Sequence, residues 1–391
     1  MDRVAAARGQ ANTLQGLVHK ARNTVFGIEH DFRRIRTEED FRRLVPVTTT
    51  AVLARTYWQP NVTALNGTTW PKPVAGLAAY DTGEKTPRQV LLSPDLFRCH
   101  RAAIRTALAF VLRAQPAARL LSGTLLFLDG PMSVTALNNR PSPPSPEATV
   151  LRGVPPPYQP YCLTHSDSTL DALAEKVSAM PLTLVCGPLT DITRLFERVR
   201  LLANRDRITG VWPSLTAVLY SCGPALRDRV HALRQEVEPK VTLMEMARFS
   251  EGLVAVEDPR FGLLRLLADH GVYCEFIPEE ERGKRVPLRV SLSQVRVGAT
   301  YELALTSPAG VWSCRAGAAV CFERLDPPLF RLVEMPRIEP AVENRGLTTI
   351  TRQDAEDALT APAPHRQSAG IPAAPPKSFG HNPWLIPVDR G

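Results

Sequence analysis

The chain has 391 residues, 44% hydrophobic and 22% charged, which is the balance of a folded globular protein and too long for one small module. Its 47 Lys and Arg against 39 Asp and Glu leave a net charge of +8. Spread over this length, that excess does not require a nucleic-acid partner. Cys99, Cys162, Cys186, Cys222, Cys274, Cys314 and Cys321 are odd in number and scattered, without a C-x-x-C pair. They read as core fillers of a reduced, cytoplasmic protein rather than as metal ligands. No apolar leader follows Met1, and no run is long and apolar enough to span a bilayer.

In chain order, residues from about 8 to 23 read as a helix, and Thr37-Glu38-Glu39-Asp40 has the pattern of a helix-start cap before a short run to Leu44. Ser93-Pro94-Asp95 offers an N-cap followed by proline at the first helical position, with apolar residues at helical spacing from Leu96 to Leu112. Leu120 to Leu128 is a short apolar run expected as a buried strand. Pro141 to Pro160 holds eight prolines and is expected as a surface loop. A strand at Leu182–Val185, a helix at Asp191–Ala203, a strand at Leu215–Tyr220, a helix at Ala225–Val237 and a strand at Val241–Met244 then alternate as βαβ units do. Strands expected at Val254–Val256, Val272–Ile277, Leu288–Val290, Tyr301–Thr306 and Ala319–Phe322 follow without long helices between them. The expected class is α/β with mixed sheets, flanking helices and a β-rich end. Beyond about residue 338 the composition turns to Pro and Ala, and 361–391 is expected to be a mobile tail.

Several blocks, in order, resemble the auxin-responsive (Gretchen Hagen) acyl acid amido synthetase family. Thr24-Val25-Phe26-Gly27 with Asp40-Phe41-Arg42-Arg43-Leu44-Val45-Pro46 is similar to its entrance motif, and Gly67-Thr68-Thr69 to its phosphate loop. Val211-Trp212-Pro213, Cys222-Gly223, Ser250-Glu251-Gly252, Cys274-Glu275-Phe276-Ile277-Pro278 and Ser307-Pro308-Ala309-Gly310 continue the series. The resemblance implies an adenylate-forming domain over 1–337, a remnant of the hinge and C-terminal lid over 338–360, and a flexible tail over 361–391. It also implies ATP and Mg²⁺ as cofactors and a small carboxylic acid and an amino acid as substrates. In the implied reaction the acid attacks the α-phosphate, and the acyl-adenylate passes its acyl group to the amine.

By that resemblance Gly67, Thr68 and Thr69 hold the ATP phosphates, Gly223 and Ser250 lie on the nucleobase side, and Glu251 binds Mg²⁺. Read without it, Asn66-Gly67 is a turn, Ser250-Glu251 a capping pair, and Cys222-Gly223-Pro224 the end of a strand. Four positions depart from the family pattern. Asn66 and Trp70 flank the phosphate loop where Ser and Gly are expected, Ala247 replaces the tyrosine that packs adenine, and Ala318 replaces the ribose-binding aspartate. A methyl group cannot accept the ribose hydroxyls. With the lid reduced as well, no catalytic residue is assigned, and adenylation is expected to be impaired or lost. The alternatives are a pseudoenzyme that binds a small acid or a protein partner, and a ligase whose lid a neighbouring chain supplies. Nucleic-acid binding ranks last.

Overall fold

The computed structural model describes residues 2–335 apart from 62–63, 72–75, 81–87, 118, 129–131, 137–160 and 164–166. All of them belong to one compact unit, Met1–Ile338. The proline-rich stretch, Lys72, the hinge-like segment and the tail lie outside the described residues.

The chain opens with α1 (Arg3–Ala21), α2 (Val25–Glu29), α3 (Glu38–Leu44) and α4 (Thr50–Leu53), the last running into a π-turn over Ala54–Trp58. Helix α1 starts earlier than its apolar pattern suggests because Asp2 caps it, accepting from the Ala5 amide at 2.7 Å. The cap expected at Thr37 is a full capping box, with Thr37 and Asp40 each satisfying the other's amide. Next come β1 (Gly76–Tyr80), β2 (Arg88–Leu92) and α5 (Pro94–Ala114), the last capped by Ser93 with Pro94 in its first turn. Then follow β3 (Thr124–Leu128), β4 (Met132–Ala136), β5 (Tyr161–Leu163), α6 (Asp167–Ser178), β6 (Leu182–Pro188), α7 (Leu189–Ala203) and α8 (Ile208–Val211). After these lie β7 (Ala217–Ser221), α9 (Arg227–Glu236), β8 (Thr242–Phe249), β9 (Gly252–Asp258), β10 (Leu263–Leu266), β11 (Tyr273–Pro278), β12 (Thr300–Ser307), β13 (Val311–Leu325) and β14 (Pro328–Val333).

Among the described residues, β1 is flanked by β2 and β4 in a small antiparallel sheet. The large sheet has eleven strands in the order β11-β12-β13-β14-β10-β9-β8-β7-β6-β3-β5. From β8 to β5 every pairing is parallel, and from β8 to β11 every pairing is antiparallel. The sheet is therefore mixed, as the alternating first half and strand-rich second half of the sequence imply.

The parallel half is buried on both faces, which is why its strands are continuous apolar runs. Leu184 and Cys186 of β6 pack with Ala103, Ile104 and Ala107 of α5, while Val185 packs with Leu173, Ile192 and Phe196 of α6 and α7. On the antiparallel half, Phe276, Tyr301, Phe322 and Phe330 build an aromatic ladder through edge-to-face contacts.

Two expectations need correction. Leu288–Val290 is not a strand; only Val290 exchanges backbone hydrogen bonds with Phe276. Pro287 supplies no amide to a ladder, and Arg289 is drawn into a buried ion pair with Glu275 at 3.1 Å. Arg289 also donates to Ser313 Oγ at 2.7 Å and to the Val45 carbonyl at 2.8 Å, tying the end of α3 to the sheet. The strand expected at Ala319–Phe322 is part of a much longer one, because β13 survives three register breaks that interrupt its pattern.

Candidate ligand cavity at the parallel-to-antiparallel junction

A cavity of about 680 Å³ opens where the parallel strands end, lined by Pro188 to Thr190, Ser221 to Leu226, Arg248 to Glu251, Ala316 to Ala319, Leu332 to Met335, and Arg88. Such crevices beyond the carboxyl ends of strands are where open α/β sheets bind ligands. Four local features of the sequence shape it.

The first is the turn after β7. Gly223 has ordinary backbone angles, so its lack of a side chain is not a conformational need. A Cβ placed there would meet no atom within 4 Å, so the glycine opens directly onto free space. Its neighbour Cys222 is no nucleophile: burial and the nearby Glu245 push the thiol up to about 12, leaving it protonated near neutral pH.

The second is the tight turn between β8 and β9. Phe249 pairs with Gly252, leaving Ser250 and Glu251 at the tip. The Glu251 side chain is wholly buried. One of its oxygens faces Arg88 Nη1 at 3.1 Å and the other accepts from Ser250 Oγ at 2.8 Å. Burial pushes this carboxyl above its ordinary value, and Arg88 and Ser250 draw it back.

The third is a bulge in β13. Between the pairs Ala304↔Arg315 and Glu302↔Ala319, the single residue Leu303 stands opposite Ala316, Gly317 and Ala318. Gly317 takes a left-handed angle of 69°, and the extra residues are thrown toward the cavity. Arg315 beside them is held by Glu302, with its other nitrogen 3.2 Å from the Arg282 carbonyl.

The fourth is the end of β14. Ala319 pairs with Val333, the last residue of β14, and Ala318 and Glu334 lie just beyond that pair. Both line the cavity, and Glu334 is exposed.

The cavity thus gathers Gly223, Ser250, Glu251 and Ala318 from the sequence-derived site. It does not gather the other members. Asn66 is exposed, and Gly67, at a φ of 80°, makes a turn closed by its amide on the Trp70 carbonyl at 2.9 Å. Thr68 and Thr69 are buried in an aromatic core of Phe26, Phe32, Trp58, Trp70 and Trp312. Thr68 Oγ donates to the Leu65 carbonyl at 2.7 Å; Thr69 Oγ accepts from Trp58 Nε1 at 2.9 Å, and the Thr69 carbonyl accepts from Trp312 Nε1 at 2.9 Å. Trp70 turns into this core and donates to Asp95 at 3.2 Å. Ala247 also faces inward, packed with Val254 and Leu264.

Three cavity residues carried no signal in the sequence reading. Phe249 lies two positions past Ala247 and supplies an aromatic surface that counting along the motif misses. Arg88 sits in no motif, and its partner is 163 residues away. Glu334 is legible only once β13 and β14 are paired.

Comparison with known proteins fits this architecture. The AtGH3.15 acyl acid amido synthetase in complex with 2,4-DB is 12% identical, with a TM-score of 0.62 over 86% of this chain and 69% of that one. The open conformation of 2-hydroxyisobutyryl-CoA ligase, in complex with 2-HIB-AMP and CoA, is 13% identical, with a TM-score of 0.54 over 82% and 72% of the two chains. At these identities the likeness is one of fold, and the fold is that of adenylate-forming ligases. Residues 3–54 match the GH3 family N-terminal domain and residues 265–334 the GH3 family central domain. These two segments are what the chain shares with the GH3 family. No curated protein matches it.

Proposed function

We propose that this is a divergent acyl acid amido synthetase-like protein that binds a small carboxylic acid or its adenylate in the cavity, with Mg²⁺- and ATP-dependent activation impaired or lost. The observation that carries the reading is the internal engagement of the groups that would meet a triphosphate. The Thr69 hydroxyl is engaged by Trp58, the Thr68 hydroxyl by the Leu65 carbonyl, and the Glu251 carboxylate is closed off by Arg88 and Ser250. Adenylation needs fixed donors and cations around the phosphates at the moment of attack, and groups with internal partners supply neither without breaking the core. Mg²⁺ does not fit at Glu251 as the site stands, because a cation already lies beside its buried carboxylate. The nucleoside side is different. Open space above Gly223, the Phe249 ring and the Glu334 carboxylate suit a base and a sugar.

The test is pyrophosphate exchange into ATP, run with aryl and aliphatic acids and Mg²⁺. We expect no label above background, together with thermal stabilisation by AMP or by an acid. Mg²⁺-dependent incorporation of label overturns the loss of activation. A second reading, a working ligase of relaxed motif that joins the acid to an amino acid, is favoured by one observation: Glu334 lines the same cavity as Ala318 and can return the missing carboxylate. Under that reading Glu334→Ala abolishes exchange.

A further inference from the structure

We infer that Arg88 is the resident cation at Glu251, taking the place of a divalent metal there, so that the anion of the bound ligand is met by a guanidinium and binds without Mg²⁺. This rests on the reading that the cavity takes an adenylate-type anion. Three observations carry it. Glu251 is fully buried at the cavity wall and already has a partner on each oxygen, Arg88 Nη1 at 3.1 Å and Ser250 Oγ at 2.8 Å. Arg88 comes from β2, a strand of the small sheet, and is fixed a second time by the Arg315 carbonyl at 3.3 Å, at the foot of the β13 bulge. Its side chain is 12% exposed and forms part of the cavity lining, so a ligand anion reaches it beside the bulge.

The charge arithmetic favours the arrangement. A buried carboxylate without a cation is costly, and a metal bound there only in the presence of nucleotide would leave Glu251 uncompensated in the empty protein. A guanidinium supplied by the chain removes that cost in both states. It also presents several donors in one plane, which suits phosphate and carboxylate oxygens. Mg²⁺ would have to displace it and would bring its own water shell into a buried corner.

The experiment is calorimetric titration of the full chain with AMP and, separately, with inorganic phosphate, each in EDTA and in excess Mg²⁺. AMP is expected to bind with an affinity that differs less than about twofold between the two conditions, and phosphate alone more weakly. Arg88→Gln is expected to weaken AMP by roughly tenfold or more, the loss of one charge-assisted contact, and Arg88→Lys to recover part of it. Because Arg88→Gln strands a buried carboxylate and can unfold the chain, the double variant Arg88→Gln/Glu251→Gln is titrated as well. It removes both charges together and is expected to be folded and still weak for AMP.

A tenfold gain in wild-type affinity on adding Mg²⁺ overturns the inference. So does AMP affinity unchanged in the double variant, and so does failure of AMP to bind in either condition. These outcomes are separable from the fate of the proposed function. Pyrophosphate exchange that persists in EDTA would end the claim of lost activation while supporting a resident cation; exchange abolished by EDTA would end both.

Discussion

The turn at Asn66–Trp70 and the turn at Cys222–Ala225 each carry a glycine that the sequence offers to a nucleotide, and they meet opposite ends. At the first, the Thr69 hydroxyl accepts from Trp58 and the Thr68 hydroxyl donates to the Leu65 carbonyl, both buried, while Trp312 donates to the Thr69 carbonyl. At the second, a Cβ placed on the glycine would meet no atom of the described residues within 4 Å. The difference teaches that a glycine-rich motif binds phosphate only if its neighbouring donors have no better partner within the fold. Around Gly67 the surrounding aromatic residues supply one; around Gly223 they do not.

The comparison breaks most sharply if the first turn is not structural. Trp312→Ala removes the ring that stacks on Phe26 at 5.8 Å and holds the Thr69 carbonyl, and should cost about 3–5 kcal/mol in urea unfolding. A loss under 1 kcal/mol would mean that this core is not what occupies the loop. Thr69→Val keeps the shape but strands Trp58 Nε1, and should cost about 1–3 kcal/mol. Its effect on AMP affinity should be negligible, whereas a phosphate-binding threonine would lose affinity on the same change. Gly310 reports on the same contact from the other side. It sits at a φ of 74°, and a Cβ there would lie 2.6 Å from Thr69 Oγ and 2.7 Å from a Leu91 methyl carbon.

How much of this was legible beforehand follows from the range of the interactions. Local signals were readable: the Thr37–Asp40 capping box, the Ser93 cap with Pro94, and the alternation from β6 to β8 depend on neighbours within a few residues. The ordered blocks pointed to the family and the fold. The site itself was half legible. Gly223, Ser250 and Glu251 fall in the cavity because they end strands, and strand ends are visible in a pattern. The fate of Thr69 was not legible, since its partners Trp58 and Trp312 lie 11 and 243 residues away in sequence. Arg88 and Glu334 were missed for the same reason: one lies on a paired strand and the other just past the end of one. Arg315 depends on the same kind of pairing, meeting Glu302 across the β12–β13 ladder.

Smaller changes sharpen the second half of the comparison. Gly223→Val projects a branched side chain into the cavity with no protein atom to clash with, so stability should change by less than about 0.5 kcal/mol. AMP binding should be lost in calorimetry. If binding survives, the open space at Gly223 is not where the ligand lies. Phe249→Ala should weaken AMP by about 1–3 kcal/mol if the ring stacks on a base. Inorganic phosphate, which has no base, should be unaffected by the same substitution.

The smallest effect expected is one of pH, and it tests the wall behind Gly223. Glu245 and Glu257 are half-buried there, near Tyr220, Cys222, Arg227 and Arg331, and Glu257 accepts the Glu245 amide at 2.8 Å. Burial is the main cause raising the Glu245 carboxyl above its ordinary 4.5; the Glu257 charge adds to it, and Arg227 and Arg331 oppose it. The folded chain therefore holds this proton to higher pH than the unfolded chain does. Its contribution to stability is fully present below 4.5 and is lost as pH rises through the raised folded value. Glu245→Gln fixes the neutral form. Thermal unfolding followed from pH 4 upward should fall less steeply in this variant than in the wild type, with the two curves closest at the acid end. Parallel curves would mean that Glu245 titrates as it does in the unfolded chain, and that the wall behind Gly223 is wetter than its packing implies.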